Sequence, residues 1–148
     1  MATLIENKKA RFNFELMDTY EAGLDLFGFE VKAIRARHGK LEGAHITVRG
    51  NEAYLIGMSI PPYQPANTPP TYEPDRNRRL LLTKKEIGQL TGIEKQKGLT
   101  IVPISVYSKG RLLKLRIAVA RGKKKYDKRE GMKTRDAKRN IERTLKGA

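Results

Sequence analysis

Alternating apolar and polar positions first appear at residues 10–17, in the segment ARFNFELM. There the side chains of Phe12, Phe14 and Leu16 would point to one side, and the polar residues between them to the other. A period of two is typical of a strand with one buried face. We therefore predict a strand at residues 10–17.

The period lengthens to three over residues 28–37. Val31 and Ile34 would face the interior there, while Lys32 and Arg35 form a neighbouring line. This spacing predicts a short helix with a cationic side.

Two pairs of β-rich segments are separated by turn residues. AHITVR and NEAYLIGM meet at Gly50-Asn51, a pair suited to a tight turn with positive φ. LTIVPISVY and RLLKLRIAVA are joined by residues 108–110, Ser-Lys-Gly. We predict a hairpin at each place.

Residues 61–74 predict an irregular loop, whereas the segment that begins at Thr83 predicts a helix. PPYQPANTPPTYEP is too rich in proline for regular structure and predicts an exposed, stiff loop. Thr83 with Glu86 three residues later is a capping box, and Ile87 and Leu90 would form the inward face of the helix that it opens.

Taken together, the elements predict a mainly β fold of five or six strands with short helices. The best match is a closed antiparallel barrel of the oligonucleotide-binding type, because closure leaves no exposed edge and presents a strand face and loops. We assign residues 1–121 to this domain and residues 122–148 to a basic C-terminal tail.

The charge of the chain says more about its function than its length does. The 148 residues include 31 Lys and Arg against 16 Asp and Glu, and residues 121–148 alone hold 12 basic and four acidic residues. Such a protein seeks polyanions, and nucleic acid is the most abundant one in the cytoplasm. The absence of cysteine, of a secretory signal and of a long apolar run favours a cytoplasmic protein without a membrane role.

The tail has the pattern of a conditional helix. Asp127 and Glu130 form a second capping box, but the apolar line Ala137, Ile141 and Leu145 is narrow. We expect this tail to be largely disordered when free and to fold on binding a polyanionic surface. Its one aromatic residue, Tyr126, stands among lysines, which suits stacking on an exposed base.

Nothing in the sequence has the pattern of a catalytic or metal site. His38 and His45 are the only histidines, and no phosphate-binding loop, nucleophile elbow or metal-ligand spacing occurs. We therefore expect a protein that is not an enzyme, with no metal and no cofactor. Scattered carboxylates could form an acid–base pair, but surface charge is the simpler interpretation.

The cations of the body have two interpretations each. In NKKARF, residues 7–12, the lysines and arginine could contact phosphates while Asn7 reads a base edge or sugar, or the segment could be a solvated strand end. Lys32 and Arg35 could hold successive phosphates or form an ordinary helix surface. Glu21 and Glu30 could accept hydrogen bonds from base amino groups.

Several segments together resemble the small protein B family, the SsrA-binding proteins of bacterial trans-translation. They are NKKARFNFEL, TYEAG, GFEVKAIRA, RRLLLTKKEI, KGLTIVP and ARGKKKYDKREGMKTRDAKRNIER. The resemblance extends from about residue 7 to residue 146, and GKKKYDKRE followed by RDAKR is its most specific part. Ala33 with RARHG, and PPYQPANTPP, depart from the family pattern, so nothing is transferred to the 61–74 loop.

This resemblance implies a non-catalytic, oligonucleotide-binding-like barrel that binds the tRNA-like domain of transfer-messenger RNA (SsrA). The barrel would support the elbow of that RNA, and the partners would be the stalled ribosome and elongation factor Tu with aminoacylated transfer-messenger RNA. The tail would act as a helix in the empty mRNA channel at the decoding centre. Tyr126 would stack on a decoding-centre base.

The resemblance also implies two sets of site residues. The RNA-binding body would comprise Asn7, Lys8, Lys9, Glu21, Glu30, Lys32 and Arg35. The ribosome-facing tail would comprise Lys123, Lys124, Tyr126, Asp127, Lys128, Arg129, Lys133, Arg135, Lys138 and Arg139. The alternatives are a general RNA-binding or ribosomal protein and, less well supported, an RNA-cleaving or RNA-modifying enzyme.

Overall fold

The computed structural model describes residues 2–123, which form strands and helices in a simple order. The elements are β1 (Ala2–Glu6), α1 (Lys8–Asn13), β2 (Phe14–Leu24), α2 (Gly28–Arg35), β3 (His45–Arg49), β4 (Glu52–Ile56), β5 (Arg78–Leu81), α3 (Lys84–Glu94), β6 (Leu99–Lys109) and β7 (Leu112–Gly122). The 61–74 loop contains one short 3₁₀ turn, Pro65–Asn67. A mainly β fold with short helices is thus confirmed for residues 2–123.

All strands pair antiparallel in one sheet, in the order β1-β6-β7-β2-β5-β4-β3. Within the described residues the edge strands β1 and β3 do not pair with each other, so the predicted closed barrel is wrong: the sheet is open. The end of α3 covers the edge of β3, where the backbone N–H of Val48 and the hydroxyl of Thr47 donate to the carboxylate of Glu94. A covered edge needs no partner strand.

The sheet has an apolar cluster on each face. The larger one lies on the inner face and includes the fully buried Leu55, Leu115 and Ile117. A smaller one on the outer face forms where Ala10 of α1 packs on Val102, Ile104, Ala118 and Ala120. Helix α1 is therefore fixed on the outer face of β6 and β7.

The strand predicted at residues 10–17 is wrong in its first half. Asn7 caps a helix instead: its side-chain oxygen accepts a hydrogen bond from the backbone N–H of Ala10 at 3.2 Å. Ala10 is the buried residue of this helix and faces the sheet, and β2 begins only at Phe14. The local cap and the packing of Ala10 outweigh the alternating pattern, because helix and strand signals compete in so short a segment.

The other predicted elements are confirmed, with changed ends, but residues 2–123 form seven strands rather than the predicted five or six, because β1 and β5 were not predicted. Helix α2 ends at Arg35 rather than residue 37, since Arg37 has a φ of 64°. Gly50 and Asn51 form the first hairpin turn with φ of 57° and 63°. The second turn lies at residues 110–111, because β6 continues through Lys109.

The capping box of α3 is present as predicted. Thr83 accepts a hydrogen bond from the backbone N–H of Glu86, whose carboxylate accepts one from the N–H of Thr83. Leu90 is fully buried and Ile87 half-buried. The predicted tail from residue 124 onward lies outside the described residues, and the boundary at 121/122, near the end of β7, stays a prediction.

Candidate nucleic-acid interface

Strand register gathers charged side chains on the outer face of β2, β6 and β7. In β7 the side chains of Lys114 and Arg116 point outward between the buried Leu113, Leu115 and Ile117. Arg116 lies opposite Glu21 of β2, and Lys114 opposite Tyr107 of β6. With Lys109 they form one group, which we call the Glu21 cluster: Glu21, Tyr107, Lys109, Lys114 and Arg116.

Two β-bulges create this cluster. Leu16 of β2 pairs with Ala120 but Thr19 with Ala118, so β2 carries one extra residue there. β6 has a similar irregularity between Pro103 and Ser105. An extra residue inverts the alternation of side chains along a strand. Before their bulges, the outward side chains of β2 and β6 are apolar and pack near α1, and after the bulges the outward side chains are polar.

Hydrogen bonds orient the carboxylate of Glu21. The hydroxyl of Tyr107 donates to one of its oxygens, and Lys109 Nζ lies 3.1 Å from the other. These bonds hold the pKa of Glu21 below its ordinary value. Burial and the neighbouring carboxylate raise the pKa of Tyr107 to about 12, and the guanidinium of Arg116 lies 5.4 Å from the tyrosine ring centre.

Helix α1 presents two of the predicted cations to solvent. Lys8 and Lys9 are both exposed, and Lys9 lies 3.5 Å from the carboxylate of Glu42. An ion pair this exposed contributes little to stability and does not prevent Lys9 from binding another anion. Because Lys8 and Lys9 are both exposed, a phosphate can reach both ammonium groups.

Asn7, by contrast, is buried. Its side-chain amide donates to the carbonyl oxygens of Pro103 at 2.9 Å and Leu41 at 3.3 Å while its oxygen caps α1. The structure thus engages Asn7 in holding α1 against β6. A direct contact to RNA stays a prediction for this residue.

Glu30 is likewise an interior residue, with no exposed surface. One carboxylate oxygen accepts from the hydroxyl of Tyr72 at 2.9 Å and from Arg78 Nε at 2.9 Å. The other accepts from the backbone N–H of Phe27 at 2.8 Å and from Arg76. We call this the Glu30 network: Glu30, Tyr72, Arg76 and Arg78.

Arg78 completes the network from the interior. Its guanidinium also donates to the carbonyl oxygens of Met58 at 2.7 Å and Pro74 at 2.7 Å. Burial raises the pKa of Glu30, but the hydrogen bonds from Arg76, the Phe27 backbone and Arg78 outweigh it, and the pKa lies below its ordinary value. The carboxyl group of Glu30 is therefore ionised at neutral pH, and its negative charge is compensated by the guanidinium groups of Arg76 and Arg78.

Lys32 and Arg35 are exposed on α2, as predicted. Arg35 Nη2 donates to the carbonyl oxygen of Arg111 at 2.7 Å, which links α2 to the turn after Lys109. Arg35 therefore lies beside the β6–β7 turn, while Lys8 and Lys9 lie on α1.

Of the predicted tail residues, only Lys123 is described. Its backbone N–H donates to the carbonyl oxygen of Asn13 at 3.0 Å, and its Nζ to that of Arg11 at 3.3 Å. The start of the tail is thus tied to the end of α1. The other predicted tail residues lie outside the described range, and their roles stay predictions.

Sequence reasoning missed several residues of these groups. The outward positions of Lys114 and Arg116 were readable from the alternation in LLKLRIAV. Tyr107 was hidden by the bulge in β6. Nothing local connects Arg78 to Glu30, which lies 48 positions away in the chain.

Two classes of site have no support within residues 2–123. No group of three or more histidine, cysteine or carboxylate residues lies close enough there to hold a metal ion. None of the described helices has the length and apolar character needed to cross a membrane.

Comparisons with known proteins agree closely. A sequence profile of the family described as "SmpB protein" matches residues 4–147. An "SsrA-binding protein" of Gloeobacter violaceus is 47% identical over 97% of this chain and 93% of its own length. Another, of Trichodesmium erythraeum, is 48% identical over 95% and 90%. A solved chain described as "tmRNA-SmpB: a journey to the center of the bacterial ribosome" is 40% identical, with a TM-score of 0.70 over 84% of this chain and 87% of that one.

Proposed function

The chain belongs to the SmpB protein family, and we propose that it binds the tRNA-like domain of transfer-messenger RNA (SsrA) and delivers this RNA to stalled ribosomes in trans-translation. The observation that carries the proposal is the 47% identity with an SsrA-binding protein over 97% of the chain. The solved chain described with tmRNA and the bacterial ribosome supports the same partners.

The cations of the body supply the affinity for RNA. Lys8, Lys9, Lys32 and Lys114 are at least partly exposed, and within residues 2–123 none of them forms an ion pair with a buried carboxylate. Lysine and arginine bind RNA mainly through phosphates, which makes binding strongly salt-dependent. These residues position the RNA on the outer face and on α2.

Glu21 supplies selectivity rather than affinity. A carboxylate repels phosphates but accepts hydrogen bonds from the amino groups of bases. Because Tyr107 and Lys109 orient it, Glu21 is ready to accept such a bond from a base that lies on the outer face.

Asn7 and Glu30 act by positioning others. Asn7 fixes the start of α1, which carries Lys8 and Lys9. Glu30 accepts the backbone N–H of Phe27 at the start of α2, which carries Lys32 and Arg35. Neither residue needs to touch the RNA in order to affect binding.

The tail, residues 122–148, acts at the ribosome. It folds as a helix in the empty mRNA channel, where Tyr126 stacks on a decoding-centre base and the arginines and lysines contact ribosomal RNA. The density of positive charge in this segment and the family resemblance support this part. The protein works in the cytoplasm without catalysis of its own, alongside elongation factor Tu with aminoacylated transfer-messenger RNA.

Truncation tests the division of labour between body and tail. A chain ending at Lys123 keeps the contacts of that residue with Arg11 and Asn13. We expect it to bind transfer-messenger RNA like the full chain, and to fail to support peptide tagging on stalled ribosomes in a reconstituted translation system. Loss of both activities, or of neither, would contradict the division.

A competition assay separates the proposal from a general RNA-binding role. The full chain is bound to labelled transfer-messenger RNA and challenged with unlabelled transfer-messenger RNA, ordinary tRNA or random RNA of equal length. We expect the first to compete best. Equal competition by all three would favour the general RNA-binding alternative.

A further inference from the structure

A hollow of about 610 Å³ lies between α2 and the proline-rich 61–74 loop. Its walls are formed by Lys32, Arg35, Ala36, Tyr63 and Gln64. It combines two cations with an aromatic ring and has no carboxylate among its lining residues. That composition suits an RNA nucleotide, which presents a phosphate and a flat base.

The two cations of the hollow share one side of α2. Lys32 and Arg35 are three residues apart, so their side chains are neighbours on the helix surface. Arg35 Nη2 donates a hydrogen bond to the carbonyl oxygen of Arg111 at 2.7 Å, and this bond orients the guanidinium group. Within residues 2–123, no hydrogen bond or ion pair engages the ammonium group of Lys32, so its three donors are available.

The aromatic ring belongs to a loop whose backbone is restricted by prolines and by internal hydrogen bonds. Tyr63 is 41% exposed and follows Pro61 and Pro62, which restrict the backbone. The carbonyl oxygen of Gln64 accepts the backbone N–H of Asn67 at 2.9 Å and the hydroxyl of Thr68 at 2.8 Å. Because the loop is ordered by its own contacts, little entropy remains to be lost when a base stacks on the ring.

Phe27, at the opposite end of α2, has an exposed ring like Tyr63 but lies in different surroundings. It is 51% exposed, but the guanidinium of Arg76 already covers its ring at 4.1 Å. The exposed carboxylate residue Glu73 lines the adjacent pocket, and Asp75 directly precedes Arg76. Phosphate is disfavoured in such surroundings, so exposure of an aromatic ring alone does not make a nucleotide site.

We propose that the hollow binds one unpaired nucleotide of the RNA, with its base stacked on Tyr63 and its phosphate on Lys32 and Arg35. The inference rests on the proposed RNA-binding function and adds to it a stacking residue from the segment in which the sequence departs from the family pattern. The nucleotide is unpaired, because only an unstacked base can reach the ring.

The test measures the affinity of the full chain for a transfer-messenger RNA transcript at several salt concentrations. We expect Tyr63→Ala to weaken binding on the order of tenfold, with the salt slope unchanged, because stacking releases no counterions. Tyr63→Phe keeps the ring and should bind like the native chain. Lys32→Ala should weaken binding and reduce the salt slope by about one.

Phe27→Ala is the matched control, since it removes a comparably exposed ring from the carboxylate-rimmed side of the same helix. It should leave the affinity unchanged, and circular dichroism melts confirm that each variant is folded. Native affinity in Tyr63→Ala, or a loss of affinity no larger than that in Phe27→Ala, would overturn the site. Equal affinity of the native chain for transfer-messenger RNA and ordinary tRNA would overturn the proposed function instead, while a Tyr63→Ala defect on either RNA would still support the site.

Discussion

Glu21 and Glu30 are nine residues apart in the chain, and both carboxyl groups have a lowered pKa, yet they belong to opposite kinds of environment. Glu21 is exposed on the outer face of the sheet, where Tyr107 and Lys109 hold it from one side. Glu30 has no exposed surface and is enclosed by Tyr72, Arg76 and Arg78. The same residue type thus serves a surface and an interior.

The difference shows how burial changes what a charge can do. A buried carboxylate must be compensated by its neighbours, and removing one partner leaves the other charge uncompensated. Within residues 2–123 every buried side-chain nitrogen and oxygen has a partner, so the Glu30 network has no spare capacity for a ligand. The Glu21 cluster keeps its open side, and a ligand can use it.

The largest expected effect is on stability at Glu30. Glu30→Ala leaves the guanidinium of Arg78 buried without its carboxylate, and we expect the free energy of unfolding to fall by about 3–5 kcal/mol. Urea unfolding followed by circular dichroism measures this change. Glu21→Ala is the matched control, and its unfolding midpoint should stay near that of the native chain because its carboxylate is exposed.

A double variant sharpens this result. Glu30→Gln combined with Arg78→Met removes both charges, and the pair should be less destabilised than the sum of the two single variants. If the two single changes simply add, the stability of the region does not depend on the charge pair. The comparison between buried and exposed carboxylates would then fail.

The next effect concerns RNA selectivity at Glu21. Glu21→Gln keeps the size of the side chain but removes the acceptor charge, so we expect the preference for transfer-messenger RNA over random RNA to fall on the order of tenfold. Affinity for random RNA should stay the same or rise, because a negative charge is removed. The competition assay of the two RNAs measures this ratio.

Lys114→Ala is a suitable control for that experiment. It removes a partly exposed cation of the same cluster that does not orient the Glu21 carboxylate, and it should weaken binding to both RNAs alike, with a smaller salt slope. An equal loss for both RNAs in Glu21→Gln would show that Glu21 only stabilises the cluster and reads no base.

Local signals in the sequence were sufficient for much of this fold. The Thr83–Glu86 capping box and the Gly50-Asn51 turn are written in adjacent residues, and the structure forms both. The alternation in β7 likewise places Lys114 and Arg116 outward. Such features depend on short-range geometry, which one segment determines by itself.

Features that depend on distant residues were not readable in this way. The cap at Asn7 competes with an alternating pattern, and burial of Ala10 against Val102 and Ala118 decides between them. The edge of β3 is covered by Glu94, so the sheet stays open where closure was predicted. In each place a contact across the fold outweighs the local pattern.

The smallest expected effect is a difference in how the two regions respond to pH. The folded pKa of Glu30 is lower than its unfolded value, so its contribution is present above about pH 4.5 and is lost as the pH falls through the folded pKa. The folded pKa of Tyr107 is raised from 10.0 to about 12, so its contribution is present below pH 10 and is lost as the pH rises towards 12. Glu30 therefore weakens the interior network in acid, and Tyr107 weakens the surface cluster in alkali. The lowered pKa of the exposed Glu21 adds an acid loss to the surface cluster, and the pKa of Tyr72, raised by burial and by Glu30, adds an alkaline loss to the interior network.

Unfolding midpoints measured across both pH ranges check this prediction. Tyr107→Phe should lose less stability than the native chain between pH 10 and pH 12, because the variant has no hydroxyl to ionise beside Glu21. Glu30→Gln should flatten the acid side in the same way. If Tyr107→Phe instead follows the native chain through the alkaline range, ionisation of Tyr107 does not control the cluster, and the Glu21 side would be held by its cations alone.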